Sequence, residues 1–548
     1  MNAISYLYKN QKLQLWGYYM MSLAYSATDV GLAYIMAVCV ELALGERQGN
    51  LVLYGLLFMC FVIACYFVTL GFCWARDKVL STARANLCDD VMSEIEQLVI
   101  SDFRKRNTGE WLSALTNDIG MVNDSFFATI LELSSDAIGL LISMILLMRI
   151  STALVLLVVV VAIVQMIVPK IMGPRIAVAK SELSKQSGNF SRTASEHLQG
   201  YDILKSFRLT DYSLKVMSRA NHELENQRFK TRFLSSQAHM LSYSLGNISY
   251  IGLYFLGAIL VSKGSMTIGA LIGASQLAVY VLGPLQTISG QVSEILGAKS
   301  VIQSLGEIRK MRSERNAQNR KKPEPPYECI RVDKVSFSYP DKAVFKHANL
   351  TLEKGKKYIF KSASGAGKTT LVRLLTGVLK PDQGKICLGN LDIAEIDPEM
   401  YARICVVCAQ KNFIFHDTLR NNVTMFDQKY SDEEILAALD KVGFSDVLGR
   451  SEDGLDMLIL QEGTNLSGGE RQRLELARLE LLKAPYVILD ESFANLDHDT
   501  SLELIRHVTS DEGRTVVLIS HQDLGEEALH YFDRLVEIED GGLVESII

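Results

Sequence analysis

The chain has 548 residues, more than one hydrophobic core supports, since cores stop growing at about 250 to 300 residues, so at least two units are required. Hydrophobic residues make up 48% and charged residues 22%, which excludes a collagen-like chain, a disulfide miniprotein and a disordered polymer. The net charge of −6 hides a split: 31 Lys plus Arg against 23 Asp plus Glu before Pro323, and 25 against 39 in the remainder. An acidic second part would repel phosphate backbones, so nucleic acid is not an expected partner.

In chain order, the first feature is an apolar run from Leu15 to Val40 that contains Asp29. Leu51 to Trp74, Met240 to Val261 and Met266 to Ser293 contain no charged residue, and each exceeds the ~20 residues a helix needs to cross ~30 Å of hydrocarbon. Ala128 to Met148, with Glu132 and Asp136, and Ala153 to Val168 complete a set of six spans. Basic residues lie before the first span and after the second, fourth and sixth, so both termini are expected on the cytoplasmic side, with Trp16 and Trp74 at that interface. The apolar stretch runs well past Ala24 and Ser26, as in a retained anchor and unlike a cleaved signal.

Ala83 to Asp118 and Ala177 to Arg232 are charged, helix-patterned and poor in proline, and read as helical extensions of the spans into the cytoplasm. The polar, proline-rich stretch from Arg309 to Tyr327 reads as a linker. The expected organisation is a membrane domain over 1–308, a linker over 309–327 and a second domain over 328–548. The pattern predicts an all-α six-helix membrane domain with long cytoplasmic helices, followed by an α/β domain. Nine cysteines are present. Cys405 and Cys408 lie three apart in an apolar strand and so face opposite sides of it, which argues against a shared metal or disulfide.

The second domain carries chemistry. Lys357 to Phe360 reads as a strand, Ser362 to Thr370 (SASGAGKTT) as a glycine-rich turn, and LVRLL as the helix that follows. Such a turn points backbone N–H groups and a helix N-terminus at phosphate, with Lys368 in reach of β and γ oxygens and Thr369 able to ligate Mg²⁺. Ser362 stands where the strict phosphate-loop pattern has glycine. Tyr486 to Leu489 reads as a strand ending in Asp490 and Glu491, one carboxylate for the metal and one for the attacking water.

Between these lies Leu466-Ser467-Gly468-Gly469-Glu470-Arg471-Gln472, and the combination resembles the signature of the ABC ATPase family. The likeness extends to Tyr339, to Gln410 ahead of FHDTLRNNV, to Asn495-Leu496-Asp497, and to His521 after the strand TVVLIS. The first part resembles the membrane domain of ABC exporters, with stretches at Thr108 to Ile119 and Glu196 to Phe207 that look like the family's coupling helices.

The resemblance implies a half-size ABC exporter that hydrolyses ATP with Mg²⁺. It also implies a dimer, with another copy or with a different half-transporter, because the family forms its nucleotide site between the phosphate loop of one ATPase domain and the signature of another. The roles carried over are adenine stacking for Tyr339 and phosphate binding for Ser364, Gly365, Ala366, Gly367, Lys368, Thr369 and Thr370. Thr369, Gln410 and Asp490 would serve Mg²⁺, Glu491 would polarise water, and His521 would contact the γ-phosphate. Ser467, Gly468 and Gly469 would reach across from the partner. The stretch Met457 to Gly463 and the SFANLD after Glu491 depart from the family's usual pattern.

Cargo is less legible. Asp29, Glu132 and Asp136 are costly in lipid, and the last two share a helix face. They suit either a cavity that receives a cationic substrate or a place near the hydrated cytoplasmic mouth where they pair with basic residues of the cytoplasmic helices. His239, Asn247 and Gln276 fit cavity lining and helix packing equally well. The leading expectation is a multi-pass protein of the cell membrane, exporting an amphipathic small molecule, lipid or peptide. An importer of a metal chelate, siderophore-like, and an ATP-gated channel or regulator are the alternatives.

Overall fold

The computed structural model describes residues 3–98, 100–313, 321–340, 342–361, 365–408, 413–490, 493, 498–520 and 525–548. The chain divides into two compact units, Met1–Leu98 with Arg106–Ser313, and Val99–Lys105 with Glu314–Ile548.

Six helices of the described residues are long and apolar enough to cross a membrane: Lys12–Ala43, Val52–Glu96, Thr108–Ile150, Thr152–Gln199, Thr210–Ser262 and Ile268–Lys310, here spans 1 to 6. Side-chain caps fix two of the starts. The Asn50 carbonyl accepts from the N–H groups of Val52 and Leu53 ahead of span 2, and Asn107 accepts from Glu110 N at 2.8 Å ahead of span 3. Span 5 has 53 residues, about 80 Å at 1.5 Å per residue. It therefore extends far beyond the hydrocarbon, as the charged sequence between spans predicts.

The most apolar window of span 2 buries none of its residues, and that of span 6 buries half, so span 2 offers an apolar outer face while span 6 is central. Span 6 approaches span 1 closely at Gly269, where an added Cβ would meet Ala37 O at 2.7 Å, the use of small residues expected between helices that pack in lipid. Tyr18 on span 1 donates its hydroxyl to Leu131 O on span 3 at 2.6 Å. Trp16 and Trp74 both point outward, at 69% and 70% exposure, as interfacial indoles do.

Two expectations shift. The helix of span 6 continues to Ser313, because no proline or glycine interrupts its charged end, so residues 309–313 are helical and not linker. The stretch from Thr108 to Ile119 begins the rising helix of span 3, with Trp111 buried and Arg106 over its ring at 5.2 Å. The short helix at that turn is Ile100–Phe103. The second turn helix, Tyr201–Ser206, falls inside the expected stretch, with Tyr201 and Ile203 exposed.

The second unit is α/β. An antiparallel sheet has the order β2 (Lys342–Glu353), β1 (Cys329–Tyr339), β4 (Gln383–Leu388), β5 (Leu391–Asp392). A larger sheet has the order β12 (Gly542–Ile547), β11 (Arg534–Glu539), β3 (Lys357–Lys361), β10 (Thr515–Ile519), β9 (Tyr486–Asp490), β6 (Cys405–Cys408), parallel except for the edge strand β12. A small ribbon pairs β7 (Asp417–Thr418) with β8 (Leu458–Ile459).

Both faces of the large sheet are covered, so its strands are continuous apolar runs and not alternating ones. Val487, Leu489, Val516 and Leu518 face one core, while Tyr486, Ile488, Val517 and Ile519 face the other. Cys408 belongs to the first and Cys405 to the second, the opposite facing that their spacing predicts. Burial pushes the Cys405 thiol up to about 12 and raises that of Cys408 as well, so both remain protonated and poor nucleophiles.

Candidate functional site

The nucleotide elements gather at one end of the large sheet. Register places Asp490, the last residue of β9, beside Ile519 of β10, which in turn lies beside Phe360 of β3. The carboxylate and the start of the phosphate loop are thus two strand spacings apart, about 10 Å, at the carboxyl ends of parallel strands where open α/β sheets bind ligands.

Gly365 and Gly367 have φ of +79° and +112°. A Cβ at Gly367 would also lie 2.6 Å from Val344 Cγ1, so both backbone conformation and space require glycine there. The helix Lys368–Leu375 starts directly after it. Lys368 and Thr370 are buried and Thr369 is exposed, and the Tyr339 hydroxyl lies 3.5 Å from Thr370 Oγ1. Ser364, Gln410, Glu491 and His521 lie outside the described residues, as do Ser362 and the Asn495-Leu496-Asp497 stretch.

The sequence reading missed two lysines. Lys342 donates from Nζ to Gly365 O at 3.2 Å, and with Lys346 it lines a cavity of about 310 Å³ beside the phosphate loop. Their signal was the KAVFK alternation, which sets both on one face of β2.

Ser467 caps the helix Gly468–Leu482 through a capping box: its Oγ accepts from Glu470 N at 3.2 Å, and the Glu470 carboxylate accepts from Ser467 N at 2.7 Å. Burial disfavours the Glu470 charge, but the Ser467 N–H and Arg450, 2.7 Å away, outweigh it and hold the carboxyl below its ordinary value. The loop from Phe413 is held just as firmly. Arg478 donates from Nε to Asn422 O at 2.7 Å and from Nη1 to Phe413 O at 3.0 Å, while Asn422 Oδ1 accepts from Phe415 N at 2.9 Å.

Residues 18–285 match the family profile described as ABC transporter transmembrane region, and residues 345–494 match that of ABC transporter. The chain belongs to the ABC transporters, as a half-size exporter. It is 26% identical to an ATP-dependent lipid A-core flippase of Haemophilus ducreyi, over 94% of this chain and 89% of that one. It is 28% identical to the mitochondrial iron-sulfur clusters transporter ATM1 of Kluyveromyces lactis, over 64% and 49%. A solved bacterial Atm1-family ABC exporter with ATP bound shares the fold at a TM-score of 0.83 and 19% identity, over 98% of this chain and 95% of that one. The transporter is therefore a multi-pass membrane protein whose ATPase is coupled to transport.

Its membrane unit contains an open cavity of about 920 Å³. Asp29, Glu132 and Asp136, singled out from sequence, all line it. His239 joins them, whereas Asn247 and Gln276 are not among the lining residues. Span 6 adds Gln291 and Glu294, which sequence reading missed. Glu294 lies one residue beyond the uncharged run, but Gly283, Thr287, Gln291 and Glu294 recur at helical spacing and mark a polar stripe.

Proposed function

We propose that two ATPase domains, one from each half-transporter of a dimer, close over ATP and drive export of an amphipathic small molecule, lipid or peptide. The observation that carries the dimer is the placement of the two half-sites. The helix after the phosphate loop contributes Leu371, Val372, Leu374 and Leu375 to one core, and the signature helix contributes Leu474, Leu476, Leu479 and Leu481 to the core on the other face of the sheet. A signature separated in this way from its own phosphate loop is available to the loop of a partner.

In this reading Tyr339 stacks on adenine. The Ser364 to Thr370 backbone and Lys368 hold the phosphates, and Lys342 fixes Gly365 from behind. Thr369, Asp490 and Gln410 offer hydroxyl, carboxylate and amide oxygens, a hard donor set that fits Mg²⁺, which when bound neutralises phosphate charge. Glu491 orients and polarises water, and His521 faces the γ-phosphate. Ser467, with Gly468 and Gly469 at a helix N-terminus, meets the phosphates from the partner. The protein resides in the cell membrane with both termini and the ATPase domain cytoplasmic, and cargo enters the cavity of the membrane unit.

Mixing two inactive variants tests this. Lys368→Ala copies and Ser467→Arg copies are each expected to lack hydrolysis, yet half of randomly mixed dimers would contain one intact composite site. Co-reconstitution should then restore roughly a quarter of normal ATPase, by the non-additive logic of shared sites. Continued silence would overturn the homodimeric form of the proposal.

A further inference from the structure

The cavity in the membrane unit has a charge character that the ATPase chemistry does not use. Four carboxylates line it: Asp29 on span 1, Glu132 and Asp136 on span 3, and Glu294 on span 6. The basic residues that face it are Lys180 on span 4 and His239 on span 5. Among the described residues none of the four carboxylates enters an ion pair. Their partners are neutral: Gln291 donates to Asp136 at 3.4 Å, Thr129 donates to Glu294 at 3.2 Å, and Tyr280 stands beside Asp29 on the cavity wall.

An unpartnered amide oxygen adds an independent sign of a ligand: Gln291 Oε1, on the cavity wall, is buried without a hydrogen-bond partner. Gln165 is 0% exposed with both amide atoms unpartnered, and it is not itself a lining residue; its Nε2 and that of the lining residue Gln286 lie 3.3 and 2.3 Å from the Cβ position at Gly246. Unpaired buried amides are costly and imply a polar group that the protein itself does not supply. Tyr25 and Tyr280 also line the cavity. Among the described residues no three Asp, Glu, His or Cys converge closely enough to hold a metal ion.

We infer that the cargo is an organic cation, its charge received by Asp29, Glu132, Asp136 and Glu294 and its polar groups by the amides of Gln286 and Gln291. This rests on the reading of the cavity as the cargo site. Four carboxylates outnumber the two basic residues on the wall, Lys180 and His239, and such an excess attracts a cation and repels an anion of the same shape. Aromatic walls favour a soft, extended cation over a bare metal ion.

Tetraphenylphosphonium and tetraphenylborate have the same shape and opposite charge, which makes them the direct probe. Equilibrium binding of each to the full-length transporter in lipid nanodiscs, without nucleotide and after subtraction of empty discs, should show saturable phosphonium binding. Borate binding should be at least about thirtyfold weaker. Glu132→Gln with Asp136→Asn should weaken phosphonium binding about thirtyfold or more, the scale expected for loss of a desolvated charge partner, while Glu132→Asp with Asp136→Glu should restore it. If the neutralised pair does not fold, Glu294→Gln is read in its place. Equal or tighter borate binding, no saturable phosphonium binding, or an unchanged affinity in the folded neutral variants would each overturn the inference. Hydrolysis and restoration on mixing do not depend on it. Intact hydrolysis without cation binding overturns the cation inference alone, and cation binding without hydrolysis overturns the export reading alone.

Discussion

Glu480→Gln is expected to loosen the signature helix from its far end. Glu480 stands near the C-terminus of Gly468–Leu482, with its side chain 10% exposed. It accepts from Arg514 at 2.8 Å and lies 3.4 Å from Lys441 and 3.6 Å from His507. Burial alone would raise its carboxyl, but the Arg514 hydrogen bond and the nearby His507 outweigh burial and bring it from 4.5 down to about 2. That difference corresponds to about 3 kcal/mol of folding free energy, and solvent screening reduces it to about 2. Because the folded value is depressed, this stability is complete above pH 4.5 and is lost as pH falls through about 2. The amide variant should lose it at every pH and also strand Arg514, whose side chain is 5% exposed. The assay is thermal unfolding of the full-length transporter with saturating ATP between pH 4 and 8. A lower melting temperature is expected throughout for the variant, with a gap that stays nearly constant from pH 8 down to about 4.5. A variant that melts like the parent at pH 7 would refute the reasoning.

Three further outcomes follow from the nucleotide site. Glu491→Gln should bind ATP normally and lose about 10² to 10⁴ in hydrolysis, the usual effect of removing a general base; near-normal turnover in steady-state ATPase would mean that another group activates the water. Gly367→Ala should abolish ATP binding in equilibrium dialysis, because its φ of +112° and the 2.6 Å approach to Val344 leave no place for a Cβ; retained affinity would contradict the geometry. Arg478→Ala frees the carbonyls of Asn422 and Phe413 and should cost about 2 to 3 kcal/mol of stability, with hydrolysis falling more than ATP affinity. An equal fall in both would show that the loop serves binding alone.

The spans and the α/β domain were legible because each rests on a long local pattern. Uncharged runs such as Met240 to Val261 need no tertiary information, and strand–turn–helix order around Ser362 to Thr370 fixes the phosphate loop. Helix boundaries were less legible, since Arg309 to Ser313 is polar by composition yet continues a helix that nothing in its sequence breaks. The short helix Ile100–Phe103 lies ahead of the Thr108 to Ile119 stretch singled out by resemblance, and the burial of Trp111 beneath Arg106 depends on packing that sequence does not display. The cavity was half visible. Glu132 and Asp136 share a face by simple periodicity, whereas their meeting with Asp29 and Glu294 depends on how three separate spans pack. Lys342 was missed because its role lies in a contact with the Gly365 carbonyl, remote in sequence.

ATP-driven outward movement of cargo is the central property of this transporter. Accumulation of labelled tetraphenylphosphonium in inside-out and right-side-out vesicles carrying the transporter, with the membrane potential collapsed, measures this directly. Uptake is predicted only in inside-out vesicles, only with hydrolysable ATP, and not with Glu491→Gln. ATP-dependent uptake confined to right-side-out vesicles, or equal uptake with the Glu491→Gln protein, would contradict it.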